Sequence, residues 1–185
     1  MNYAAIKKYD IANGPGVRVS LFVSGCRHRC KNCFNSEAWE FSFGHSFTRN
    51  VQNEILSVAD KSYISGLSIL GGEPLERENQ DEVIAFAKLF RARFPNKDIW
   101  CYTGFTAEEL FSGVAGEGIA EQILSVVDVL VDGRFIEEQK DLSLLFRGSA
   151  NQRILDAKKT LLHKKAVPMD GKWERTMSSG NILEV

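Results

Sequence analysis

Apolar, β-branched runs alternating with helix-spaced segments constrain this 185-residue chain more than any other feature. VRVSLFV (Val17–Val23) reads as a buried strand ending at Ser24-Gly25. GLSIL (66–70) reads as a second, stopped by Gly71-Gly72, DIWCY (98–102) as a third and VDVLVDG (127–133) as a fourth. RILD (153–156) is a candidate fifth. Between them, residues 49–59 read as a helix with Thr48 as candidate N-cap. Residues 81–94 place Val83, Phe86, Ala87 and Phe90 on one helical face, with Asn79 ahead and Pro95 behind. Thr106 opens a capping-box pattern before a short helix over 106–112, and another helix is expected over 119–126.

Strands separated by helices argue for a mostly parallel sheet with right-handed crossovers. Five strands are too few for a closed eight-stranded barrel, which typically needs about 250 residues. The expected fold is therefore α/β: an open partial (β/α) barrel of mostly parallel strands with a short C-terminal extension. Residues 1–157 are assigned to the barrel domain. Residues 158–185, where periodicity fades into a Lys-rich stretch and then MDGKWERTMSSG, are assigned to an extension of unknown role.

Hydrophobic residues make up 44% of the chain and charged residues 25%, an ordinary globular balance. A formal charge of −1 provides no basic field to draw nucleic acid. No apolar run is long enough to cross a bilayer, and the opening MNYAAIKKYD lacks the apolar core of a signal peptide. The expectation is a cytoplasmic protein with neither nucleic acid nor membrane as partner.

Three of the four cysteines, Cys26, Cys30 and Cys33, fall within eight residues, directly after the first strand. Cys101, inside an apolar strand pattern, reads as a small core residue. A disulfide framework is out of place in an unsecreted chain. Three thiols in one loop at the end of a parallel strand suit a metal or cluster, because ligands gather there in such architectures. A four-iron cluster normally takes four thiolates, so three suggest one iron left open. The alternative is a zinc site completed by His28 or another side chain, although no second clip of ligands is present. His28, His45 and His163 show no mutual spacing that suggests a site. Arg18, Arg27, Arg29 and Lys31 are expected around the loop, to offset cluster charge, to meet an acidic donor, or simply as exposed bases.

The C-x3-C-x2-C spacing after a first strand resembles the signature of radical S-adenosylmethionine enzymes. Gly71-Gly72-Glu73-Pro74 resembles that family's GGEP segment. The resemblance implies a 4Fe-4S cluster on Cys26, Cys30 and Cys33 whose open iron chelates S-adenosylmethionine. Reductive cleavage would then give methionine and a 5′-deoxyadenosyl radical. It also implies that Gly71, Gly72 and Glu73 cradle the methionine end, where close backbone approach and a carboxylate facing an ammonium group make physical sense. Asn32 stands where an aromatic residue is usual, and Phe34 carries a ring one position beyond Cys33; both are counted among the cofactor contacts. Asp132, at the end of the fourth strand, is expected to meet a ribose hydroxyl or else to serve as a turn residue. Asn151, with Arg147 and Arg153, is expected to line the cofactor or grip a partner.

The segments Asp10 to Arg18 and Ser24-Gly25-Cys26 resemble the activating enzymes of glycyl-radical enzymes. Cys33-Phe34-Asn35 through Trp39, Tyr102 to Phe105, Asp132 to Phe135 and Arg147 to Arg153 are similar to one branch, the activating proteins of the anaerobic (class III) ribonucleoside-triphosphate reductase. That branch implies hydrogen abstraction from a glycine of the reductase, a flavodoxin or ferredoxin as electron donor, and a possible homodimer. Three other readings compete: a small-molecule radical enzyme resembling 7-carboxy-7-deazaguanine synthases, an activase for another glycyl-radical enzyme, and a non-catalytic zinc or electron-transfer protein.

Overall fold

A computed structural model describes residues 1–169, which form one seven-stranded sheet with helices packed on one face. The chain runs β1 (Asn2–Asp10), β2 (Val17–Val23), β3 (His45–Ser46), α1 (Arg49–Ala59), β4 (Ile64–Gly71), α2 (Gln80–Arg93) and β5 (Asp98–Tyr102). It continues through α3 (Ala107–Phe111), α4 (Ile119–Leu124), β6 (Val129–Asp132), β7 (Arg153–Asp156) and α5 (Ala157–His163). The strand order is β3-β1-β2-β4-β5-β6-β7. The central pairs from β2 to β6 are parallel, and the strands at both margins pair antiparallel. The sheet does not close, as expected for an open partial barrel.

The five-strand expectation is corrected to seven, because β1 and β3 add an antiparallel margin beside β2. The fifth expected strand, β7, is present but antiparallel to β6, so it ends the parallel run rather than extending it. α5 begins at Ala157 and buries Ala157 and Thr160, and Met169 N–H returns to donate to Ile154 O at 2.9 Å. The assigned extension therefore begins inside a packed helix, and its remainder, 170–185, lies outside the described residues.

Side-chain alternation divides the core. Leu21 of β2, Ile69 of β4, Cys101 of β5 and Leu130 of β6 join Ile55, Phe86, Phe90 and Ile123 of the helices in one fully buried cluster. Trp100, Val129, Val131 and Ile154, one residue out of phase, form a smaller cluster on the opposite face. Arg18 shares that opposite face. It is fully buried, donates from Nε to Ser68 Oγ at 2.8 Å, and pairs with Asp98 Oδ1 at 2.5 Å. This corrects its expected place around the cysteine loop: Arg18 starts β2, whereas the loop follows the strand's other end.

Helix ends follow the sequence unevenly. Thr106 makes both bonds of its capping box with Glu109. Thr48 and Asn79 occupy N-cap positions without side-chain capping bonds. Asn79 Nδ2 donates instead to Ser24 O at 2.8 Å and Glu73 O at 3.0 Å, pinning the turn after β4 to the end of β2.

Candidate cluster and cofactor site

β2, β4, β5 and β6 all run the same way, so their C-terminal ends bring four loops to one rim of the sheet. The loop after β2 carries the cysteines, the turn after β4 carries Gly71-Gly72-Glu73, β5 leads to Thr103-Gly104, and β6 leads to Gly133-Arg134. These loops surround one open cleft at the rim. Cys26, Cys30, Cys33, Phe34, Gly71, Gly72 and Glu73 all line it. The cysteine loop and the Gly71-Gly72-Glu73 turn, singled out from separate local motifs, thus share one cleft.

Backbone bonds fix the two motifs to one another. Gly72 N donates to Val23 O at 2.7 Å, and Glu73 N to Gly25 O at 2.8 Å. A Cβ on Gly72 would lie 2.5 Å from Gly25 O, so only glycine permits this approach. Gly25 N and Cys26 N donate in turn to Ala38 O and Trp39 O, which folds the segment after the cysteines back against the strand end.

The four cysteines are free thiols. Burial, reinforced by the nearby Glu73 charge, pushes the Cys26 thiol up to about 12. Burial raises Cys30 as well, with Cys33 beside it adding to the effect. Iron bound here must therefore displace protons, the usual coupling for thiolate ligands. Among the described residues, no three His, Cys, Asp or Glu side chains converge on a single-ion point. Three free thiols lining one mouth fit a multi-iron cluster in donor type and number. Cys101 is fully buried in the helix-side core, the place expected for it.

Glu73 is 1% exposed and engaged on both oxygens. Oε1 accepts from Leu75 N at 2.9 Å and Thr103 Oγ1 at 2.8 Å. Oε2 accepts from Gly104 N at 2.6 Å and lies 3.1 Å from His28 Nε2. The carboxylate thereby ties the ends of β4 and β5 together. His28, which the sequence offered only as a possible completing ligand of a zinc site, bonds instead to partners 45 and 106 positions away, so no spacing could reveal this role.

The other expected contacts are dispersed. Asp132 is fully buried, accepting from Ala107 N at 2.7 Å and pairing with Arg153 Nη2 at 2.5 Å. Those bonds fall on Oδ2, and Oδ1 accepts from Arg153 Nε at 2.9 Å, so both carboxylate oxygens meet protein donors rather than the cleft. Asn151 Oδ1 accepts from Ser149 Oγ at 2.7 Å and its Nδ2 donates to Arg134 O at 2.8 Å, supporting the β6 loop from behind. Arg147 Nη1 donates to Gln152 O at 3.0 Å. Gln152, absent from the expected site, lines the cleft. Asn32 adopts a left-handed backbone (φ 56°) within the loop, and Phe34 stands 85% exposed at the mouth. Arg27, Arg29 and Lys31 are exposed and paired with Glu76 and Glu78, Glu40, and Glu138 respectively.

The family described as a 4Fe-4S single cluster domain matches residues 12–155. The anaerobic ribonucleoside-triphosphate reductase-activating protein of Vibrio cholerae is 42% identical over 156 residues, 83% of this chain and 97% of that protein. The protein of the same name from Escherichia coli K12 is 39% identical over 154 residues, covering 82% and 96%. That of Enterobacteria phage T4 is 42% identical over 154 residues, covering 83% and 93%. With a cluster-domain match across most of the chain and relatives aligned nearly end to end, this chain belongs to the family of anaerobic ribonucleoside-triphosphate reductase-activating proteins.

Proposed function

We propose that this protein is a radical S-adenosylmethionine activase that generates a glycyl radical on an anaerobic ribonucleoside-triphosphate reductase. The observation that carries the reading is the shared cleft: three free thiols and the Gly71-Gly72-Glu73 turn on one rim of a parallel sheet. Cys26, Cys30 and Cys33 would hold a 4Fe-4S cluster through three of its irons, and the Gly71-Gly72 backbone would lie against the methionine end of the cofactor. When bound and reduced, this pair supplies a carbon-centred radical able to take hydrogen from a glycine Cα.

The chain's own residues account for the rest. Gly72 lets the turn seat directly on Gly25, which sets the cofactor wall against the cysteine loop. Glu73 holds Thr103 and Gly104 in place, so the floor between β4 and β5 is preorganised rather than formed on binding. Phe34, exposed at the mouth, is available to a protein loop entering from solvent. An external one-electron donor of flavodoxin or ferredoxin type completes the reading, and a homodimer is compatible with it.

The test is anaerobic reconstitution with iron and sulfide, then reduction and addition of S-adenosylmethionine together with the reductase. A carbon-centred radical doublet on the reductase, accompanied by 5′-deoxyadenosine, is the expected result. Deoxyadenosine without a radical on the reductase would assign the chemistry to a different substrate. Absence of both would refute the radical reading.

A further inference from the structure

His28 lies between two of the proposed iron ligands in sequence, yet its side chain is only 9% exposed and meets residues behind three strands. Nε2 is 3.1 Å from Glu73 Oε2, after β4. The ring meets Phe105, after β5, edge-on at 4.6 Å. Arg134, after β6, donates from Nε to His28 Nδ1 at 3.2 Å. An arginine Nε–H is a donor only, so Nδ1 must accept and the imidazole hydrogen sits on Nε2, aimed at Glu73. Arg134 is itself held by Glu109 Oε1 at 2.9 Å from Nη1. Gly104 keeps the space open: a Cβ there would lie 2.4 Å from His28 Cδ2.

The loop needs such a tie. Arg29 (φ 46°) and Asn32 (φ 56°) both take left-handed backbone, a conformation that surrounding structure must hold in place. Backbone bonds anchor the loop's start, where Cys26 N donates to Trp39 O and Arg27 N to Glu76 Oε1. Further along, the side-chain pairs of Arg29 with Glu40 and Lys31 with Glu138 are exposed and worth little. His28 provides a buried, charge-assisted bond in the middle.

We propose that His28 is a positioning residue whose Nε2–H bond to Glu73 sets the cysteine loop against the Gly71-Gly72-Glu73 turn. It thereby fixes where the cluster stands relative to the cofactor. This rests on the radical S-adenosylmethionine reading above. His28 acts through Glu73 and the loop backbone, not on the reacting atoms.

The experiment compares reconstituted wild type with His28→Gln, His28→Asn and His28→Ala. A glutamine amide reaches the Nε2 position, whereas asparagine reaches only that of Nδ1. All four proteins should carry equal iron and sulfide per chain. His28→Asn and His28→Ala should lose about tenfold in kcat/KM for 5′-deoxyadenosine formation, the scale of one lost bond to a charged group. They should also show a weakened change in the electron paramagnetic resonance of the reduced cluster on adding S-adenosylmethionine. His28→Gln should stay within about threefold of wild type, since it restores that same bond. Equal impairment of the glutamine and alanine variants would make ring packing on Phe105 the operative contact and overturn the proposal. Wild-type behaviour of all three variants, or iron loss from all three, would overturn it too. Nitrogen-15 histidine NMR of the protein before reconstitution tests the bond separately: hydrogen on Nε2 supports it, and hydrogen on Nδ1 overturns it. If the wild-type cluster ignores S-adenosylmethionine, the radical reading falls while the NMR result still decides the His28–Glu73 bond.

Discussion

Asp132 and Arg153 face one another across the β6–β7 ladder as Cα partners and as an ion pair, with Arg153 Nη2 2.5 Å from Asp132 Oδ2. Asp132 is fully buried, while Arg153 is 35% exposed and also reaches Glu108 at 2.7 Å. The pair fastens the antiparallel margin strand to the last parallel one. Removing one partner of a buried pair leaves an uncompensated charge, which costs several kcal/mol; the exposure of Arg153 reduces this. Arg153→Ala should therefore lower unfolding free energy by about 2 kcal/mol in urea titrations. Asp132→Asn combined with Arg153→Ala should recover part of that loss, because no unpaired carboxylate remains. Strict additivity of the two single variants would show that the pair is not coupled.

Gly72→Ala should separate folding from catalysis. The added methyl, 2.5 Å from Gly25 O, forces the turn and the strand end apart. A displacement near 1 Å at a reacting centre typically costs about 10²-fold in rate. The expected outcome is a folded protein with iron near the wild-type level and 5′-deoxyadenosine formation reduced by about that factor. A wild-type turnover rate would mean that the turn does not set cofactor position.

The parts of the fold legible in the sequence are those buried on both faces. β2, β4, β5 and β6 are covered by helices on one side and buried on the other, so they read as largely apolar runs. On that second side β5 and β6 carry the smaller core, and β2 and β4 bury Arg18, Ser20 and Ser68. β1 is different: Lys7, Lys8 and Tyr9 are exposed, and no apolar period marks it as a strand. The β3 pairing spans two exposed residues and leaves no pattern at all. At the site, the cysteine loop and the Gly-Gly-Glu turn were legible because each is a local motif. The engagement of Glu73 with Thr103 and Gly104, and of Arg134 with His28, joins separate loops and is visible only once the parallel strands bring them together.

The four cysteines should divide three to one. Alanine at Cys26, Cys30 or Cys33 removes a thiolate that lines the cleft, and each variant should reconstitute with much less iron and sulfide than wild type. Cys101→Ala removes a sulfur from the fully buried helix-side core instead. It should keep wild-type iron content and lose about 1 kcal/mol of stability, the scale of a small buried truncation. Iron loss in Cys101→Ala with retention in any of the other three would reverse the ligand assignment.

Acid should weaken the junction between β1 and β2 through Asp10. Burial raises this carboxyl, but bonds from Ser20 Oγ at 2.6 Å, Asn13 Nδ2 at 2.5 Å and Ala12 N at 3.0 Å outweigh it, and its pKa lies below the ordinary value. A folded-state value below the unfolded one means that the carboxylate stabilises the fold. That contribution is complete above the unfolded pKa of about 3.9 and lost as pH falls through the lower folded value. Wild-type stability should thus fall below about pH 4 more steeply than that of Asp10→Asn, which has no proton to take up. The two proteins should differ most near neutrality, with Asp10→Asn the less stable, and converge in acid. Parallel stability curves for the two, measured by urea denaturation from pH 3 to pH 7, would show that Asp10 gains nothing from its three donors.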